Sequence, residues 1–241
     1  MFKKKEDPII EFVSVIPGLE QIDECLPKPA KYFLPKWWNT VSNSPRFGDQ
    51  NVKSCPSFPD YFSQGYIIPM WADTIIKYDK ENDMWGVKSG LDNKTFPWTI
   101  HSPDQFLNMV DATVLGKDAN FVFKAICPWN IITPKGWSVI QQPLYYHFNK
   151  KYSILPGIID TDFHHQVNQQ VLYHADGEEV FIKRGEPFAH YIPFKRQKIK
   201  SDVRYKNEED IKRFNRVDAS LQSKIMGEGS YRISQKYNNE N

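Results

Sequence analysis

Between Pro156 and Val167 the chain reads PGIIDTDFHHQV. Asp160 and Asp162 flank Thr161, so in extended backbone their carboxylates share one face. A carboxylate so placed can orient a water as general base. The same residues can instead accept backbone N–H bonds at a turn, which Asp does routinely. His164 and His165 follow at once, and His174 and His190 lie on segments expected to pair nearby. Asp162, His164 and His190 would be the ligands of a two-histidine, one-carboxylate metal site. The spacing disfavours that set. The usual His-x-Asp order is reversed in Asp162-Phe163-His164, and adjacent histidines on a strand project to opposite faces. No metal is therefore expected.

Other nucleophile and phosphate signals are missing. The sequence holds no G-x-S-x-G, P-loop, dinucleotide-binding or H-E-x-x-H pattern. Cys25, Cys55 and Cys127 are odd in number and far apart, which argues against a disulfide framework or a cysteine-rich zinc site and fits a reducing compartment. Only Cys55, near Lys53, has a basic neighbour that would favour a thiolate. The segment RGEPF, Arg184 to Phe188, reads as a β-turn with Gly185 supplying the permissive dihedral. Arg184 remains a candidate substrate contact only if the chain is a hydrolase.

The elements that must position these residues read as short strands punctuated by proline. The chain has 241 residues, 17 prolines, 12 tyrosines, 16 phenylalanines and 7 tryptophans, a composition that favours strands joined by marked turns. An opening strand is expected at Ile9–Gly18 and a hairpin at Thr74–Ser89. A short helix is expected at Ser102–Val110, and residues 120–195 as consecutive antiparallel strands, with Asp176-Gly177 as a hairpin marker. Trp37 and Trp38, in a proline-bracketed arm, are candidates for partner contact. After a polar linker, Ile211, Phe214, Val217, Leu221 and Ile225 recur at helical spacing behind an Asn207 cap. The expected organisation is a basic tail at 1–7, a β-rich domain at 8–200, an amphipathic helix at 207–227 and a mobile polar tail at 228–241.

Charge excludes little but is informative. The net charge of +2 predicts no strong nucleic-acid footprint. No run of about 18 apolar residues is present to span a membrane. The charged, proline-broken start is unlike a secretory signal, so a cytoplasmic location is expected.

Three blocks carry a resemblance. PKGWSV (Pro134 to Val139), GIIDTDF (Gly157 to Phe163) and KRGEPFAHYIPFKR (Lys183 to Arg196) resemble an uncharacterised family of bacteria and tailed phages. The resemblance covers about two thirds of the chain and implies a phage-encoded protein, in the host cytoplasm or the virion. The same blocks are similar, more distantly, to the dUTPase and dCTP deaminase superfamily. That similarity implies a compact dUTPase-like β-barrel or β-clip domain, often trimeric. It also implies a water-orienting role for Asp160, deoxyribose packing by Phe163 and a substrate-side turn at Gly157. Mg2+ would enter only with a nucleotide substrate. The chain departs from that pattern where His164-His165 replaces a basic residue and glycine, and where QQPLYYHF stands in place of the phosphate-contacting segment. A triphosphate needs several convergent N–H groups and cations. The expected function is thus a non-catalytic binding or assembly module that uses Trp37, Trp38 and the helical stripe for a protein partner or self-association. The alternatives are a nucleotide hydrolase on Asp160 and a histidine/aspartate metal oxygenase.

Overall fold

The computed structural model describes residues 7–42, 51–53, 55–79, 81–82, 84–91, 98–106, 121–174 and 178–222, with side chains omitted at 103–104 and 216–222. Residues 1–6 of the expected basic tail at 1–7, the expected polar tail at 228–241, Ile225 and the Asp176-Gly177 marker lie outside these residues. The chain divides into two compact units, one of Met1–Pro35 with Gln64–Arg196, the other of Lys36–Ser63 with Gln197–Asn241.

The first unit is mainly β, and its strands form three antiparallel sheets. In the first, β1 (Glu11–Ser14), β7 (Val122–Ile132), β11 (Gln166–Tyr173) and β9 (Tyr152–Ile154) lie in that order, with β6 (Trp98–Ile100) also on β7. In the second the order is β10 (Gly157–Ile159), β8 (Trp137–Gln142), β13 (Pro187–Lys195), β3 (Tyr66–Pro69) and β2 (Lys28–Pro29). In the third, β12 (Val180–Ile182), β4 (Thr74–Asp79) and β5 (Met84–Ser89) are neighbours.

Alternation explains these strands. Along β7 the buried residues Phe123, Ala125, Cys127, Trp129 and Ile131 recur every second position, the period that turns one face of a strand inward. They meet Val167 and Val171 of β11, Ile68 of β3, Val139 of β8, Ile76 of β4, Ile182 of β12 and Tyr191 of β13 in one core drawn from all three sheets. Trp85 packs edge-on to Tyr173 with centroids 4.4 Å apart. Phe188 receives Trp71 and Tyr152, each at 5.9 Å.

Three expectations need correction. Among the described residues the sheets do not close into a barrel. Closure requires strands long enough to carry a staggered ladder right round, and β2, β9, β10 and β12 have only two or three residues each. The strands on either side of residues 175–177 do not form a hairpin. β11 pairs with β7 and β9, whereas β12 pairs with β4. A turn signal marks a reversal of the chain but does not choose the partner strand. Finally, the segment expected as a helix from Ser102 shows only a one-turn 3-10 helix at Pro103–Phe106, and 107–110 lie outside the described residues. The expected Thr74–Ser89 hairpin forms, with Asp79 opposite Met84. Among the described residues of 120–195 every strand pairing is antiparallel, though no two strands consecutive in the chain are sheet neighbours there.

The second unit holds α1 (Lys36–Thr40), α2 (Ser57–Ser63) and α3 (Glu208–Gln222). Asn207 caps α3 in a reciprocal box: its Oδ1 accepts from the Asp210 N–H at 2.9 Å, and Asp210 Oδ2 accepts from the Asn207 N–H at 3.0 Å.

Gly65 ends the α2 segment at φ +66°, and a Cβ there would run into the carbonyl of Tyr191 on β13. Gly136 has φ +85° with open space around it. Gly136→Ala should therefore cost about 1 kcal/mol of backbone strain, and Gly65→Ala about 2 kcal/mol or more, because strain and collision add. Equal losses in urea denaturation would show that the close approach to β13 is not fixed.

Candidate functional site

The corner after β10 is built by a run of local backbone bonds. The Asp160 carbonyl accepts the N–H groups of Phe163 at 3.0 Å and His164 at 2.8 Å. Thr161 is fully buried, and its hydroxyl meets that of Thr133 at 2.7 Å. His165 Nδ1 donates to the Thr161 carbonyl at 2.9 Å. The two aspartates project from this turn toward the start of β8, the strand that pairs with β10 and β13.

There they meet a cation that sequence reasoning did not single out. Arg196 follows β13, and its N–H donates to the Gly136 carbonyl at 2.8 Å. Its guanidinium grips Asp162 with two bonds, Nη1 to Oδ1 at 2.9 Å and Nη2 to Oδ2 at 2.5 Å. Asp162 Oδ2 also accepts the Gly136 N–H at 2.7 Å. Asp160 Oδ1 accepts the Ser138 hydroxyl at 2.6 Å and lies 3.1 Å from Arg196 Nη1. Nη1 donates to the Ser138 hydroxyl at 2.8 Å and to the Trp137 carbonyl at 3.1 Å. A planar guanidinium suits such bidentate work in a way that lysine does not.

The two carboxylates are consequently in different states. The Asp162 side chain is only 8% exposed, and Arg196 together with the Gly136 N–H holds its carboxyl down at about 2. Both of its oxygens are occupied. The Asp160 side chain is 58% exposed, and beside it the Phe163 ring is 88% exposed. Phe163 is thus an apolar surface on display rather than part of the core. Gly157 occupies open space, where a side chain would meet nothing within 4 Å.

The histidines are dispersed in function. His190 is buried, its Nε2 donates to the Gln64 carbonyl at 2.7 Å, and its Nδ1 accepts from Gln142 Nε2 at 3.0 Å. Burial pushes its pKa below the usual imidazole value, so it is neutral and structural. His174 spans Ser153 and the Lys150 carbonyl, each at 3.0 Å, and His164 is exposed. With Asp162 committed to Arg196, the set Asp162, His164 and His190 is not assembled. Among the described residues no three His, Cys, Asp or Glu side chains converge as a metal site would require.

Arg184 belongs elsewhere. Its Nε pairs with Glu24 Oε1 at 2.6 Å, and its N–H donates to Asp73 Oδ1 at 2.7 Å. It stands beside a cavity of about 470 Å³ lined by Glu24, Lys28, Tyr32, Phe33 and Gly185. The three cysteines are free, and burial drives the Cys127 thiol up to about 12, far from a reactive thiolate.

The candidate interaction residues fall in the second unit. Trp37 and Trp38 sit edge to face at 5.7 Å, and both reach Phe62 of α2, at 6.4 and 5.0 Å. Lys53 Nζ lies 5.6 Å from the Trp38 ring. On α3, Ile211 and Phe214 are half-exposed. The side chain of Leu221 lies outside the description, as does Ile225.

No protein-family model matches the chain, and no curated protein matches it. Among solved structures, an Asp-to-Asn variant of the dUTPase from phage phi11 of S. aureus, described with a structural Mg(II) ion, aligns at 12% identity and a TM-score of 0.32, over 70% of this chain and 95% of that one. A superposition of that quality transfers neither a fold assignment nor a residue role. Among the described residues no helix is long and apolar enough to cross a membrane. The structure itself establishes a mainly β chain whose sheets remain open.

A carboxylate whose pKa is lower folded than unfolded stabilises the fold above the ordinary value of 3.8, and that contribution disappears as pH falls toward about 2. The thermal midpoint of the protein should therefore drop between about pH 4 and pH 2. In Asp162→Asn the drop should be shallower, from a lower starting midpoint. Parallel pH profiles for the two proteins would mean the Asp162–Arg196 contact contributes nothing in solution.

Proposed function

We propose that the chain is a non-catalytic binding or assembly module, phage-encoded and built into a virion or its assembly intermediates. The observation that carries this reading is the saturation of Asp162. Its two oxygens are taken by Arg196 and the Gly136 N–H, so the corner's most strongly shifted carboxylate serves to tie β8, β10 and β13 together. The display of apolar side chains supports the same reading. Phe163 and Ile158 at the corner, and separately Ile211 and Phe214 on α3, are exposed, and each pair offers apolar surface that a partner could cover. The chain would act where such surfaces are covered, by a protein partner or by copies of itself.

One observation favours a second reading, a dUTPase-like hydrolase on Asp160. The Asp160 side chain is more than half exposed, and the exposed Phe163 ring stands three residues on, which fits a water-orienting carboxylate beside a face for a deoxyribose. Against it, Arg196, the cation at the corner, is already paired to both aspartates.

Isothermal titration with dUTP and dCTP, with and without Mg2+, separates the two. The module reading expects no saturable heat and no pyrophosphate release. Micromolar binding with turnover that is lost in Asp160→Ala would replace it with the hydrolase.

A further inference from the structure

Gln197 to Lys206 reads QKIKSDVRYK. Its even positions are Lys198, Lys200, Asp202, Arg204 and Lys206, all charged. Its odd positions are Gln197, Ile199, Ser201, Val203 and Tyr205. Strict alternation over ten residues is the pattern of a strand with one face covered. In the structure this segment belongs to no helix or strand. Ile199, Val203 and Tyr205 are 81%, 95% and 86% exposed, and among the described residues no backbone–backbone hydrogen bond engages 197–206. A sequence with a strand's periodicity, unpaired and with its apolar face in water, is missing its sheet.

The first unit has a sheet lacking a strand of this kind. β10 pairs only with β8, which leaves its other edge open among the described residues. On the outer face of that sheet, Ile192 of β13 lies opposite Ile140 of β8, and Ile140 lies opposite Ile158 of β10. The row of isoleucines stops at the open edge, where Ile158 is 67% exposed. An added strand whose apolar side carries Ile199, Val203 and Tyr205 would continue the row along this edge.

We propose that residues 197–206 add as a strand to the β10 edge of a second copy of this chain, giving a two-fold dimer by mutual exchange. This deepens the reading of the chain as an assembly module and rests on it. The second copy is the fitting occupant because, among the described residues, the segment leaves its own β10 edge unpaired, while donor and acceptor start from the same corner. The segment begins directly after Arg196, whose side chain and N–H are fixed to Asp160, Asp162 and Gly136, and β10 ends directly before Asp160. Two copies facing each other across this corner each offer an edge where the other's segment emerges, so the contact is isologous and closes at two. Main-chain bonds supply the affinity, and the alternating apolar side chains set the register.

Sedimentation velocity of the full chain should show a concentration-dependent dimer. Amide exchange in 197–206 should be slowed in the dimer and free on dilution. Val203→Asp, in a segment already open to water, and Ile158→Lys, on the exposed face of the edge, should each yield monomers with an unchanged circular dichroism spectrum and an unprotected 197–206 segment. A wild-type chain that stays monomeric, protection that persists in a monomer, or a dimer indifferent to both substitutions would overturn the proposal. A monomer that also releases no pyrophosphate from dUTP would remove strand exchange while leaving the non-catalytic reading in place.

Discussion

One guanidinium holds the corner on which the first unit's second sheet turns. Arg196 reaches from the end of β13 across the start of β8 to the two aspartates after β10. These three strands are sheet neighbours, but their ends are short and partly solvated, where backbone ladders alone fray. A bidentate contact to a nearly buried carboxylate, joined by backbone bonds to Gly136 from both sides, restrains the three ends together. This is why the acid-shifted carboxylate of the corner, Asp162, is bound to strand-end partners rather than open to solvent. Asp162 is held in its charged form by partners that engage both of its oxygens.

The same constraint decides what the surface displays. Thr161 turns inward to Thr133, so Asp160 and Asp162 turn toward β8, and Phe163 is left in solvent. Asp160 keeps a partly open side chain under the control of Ser138 and Arg196. A carboxylate in that position can anchor a corner against a partner as readily as it can bind a water, and the chemistry of the pair alone does not select between them. The cation is paired here rather than presented to an incoming anion, which favours the proposed contact role.

Much of the fold was legible because period and punctuation agreed. The run 120–195 was expected as strands and holds β7 to β13, and Gly185 fell at a left-handed position where a turn was expected. Asn207 with its acidic first turn announced α3. Strand partnership was not legible. Asp176-Gly177 signals a reversal of direction, yet Val180 and Ile182 find their apolar neighbours on β4. Barrel closure was inferred from resemblance, and the two- and three-residue edge strands deny it. At the site, the aspartates were visible as a pair, but their partner was not. Arg196 lies 34 residues beyond Asp162 in a run of basic residues that reads as solvated charge. The alternation from Gln197 to Lys206 was also present in the sequence, hidden because its charged half dominates the composition.

The central claim is that Asp162 and Arg196 act as one structural unit. A double-mutant cycle of Asp162→Asn and Arg196→Ala, read by urea denaturation at pH 7, tests it most directly. The account predicts strong non-additivity, with each single substitution destabilising and the double variant little worse than either alone. Additive losses would contradict it, because they would mean that the two side chains stabilise the corner independently and that Asp162 is free for other chemistry.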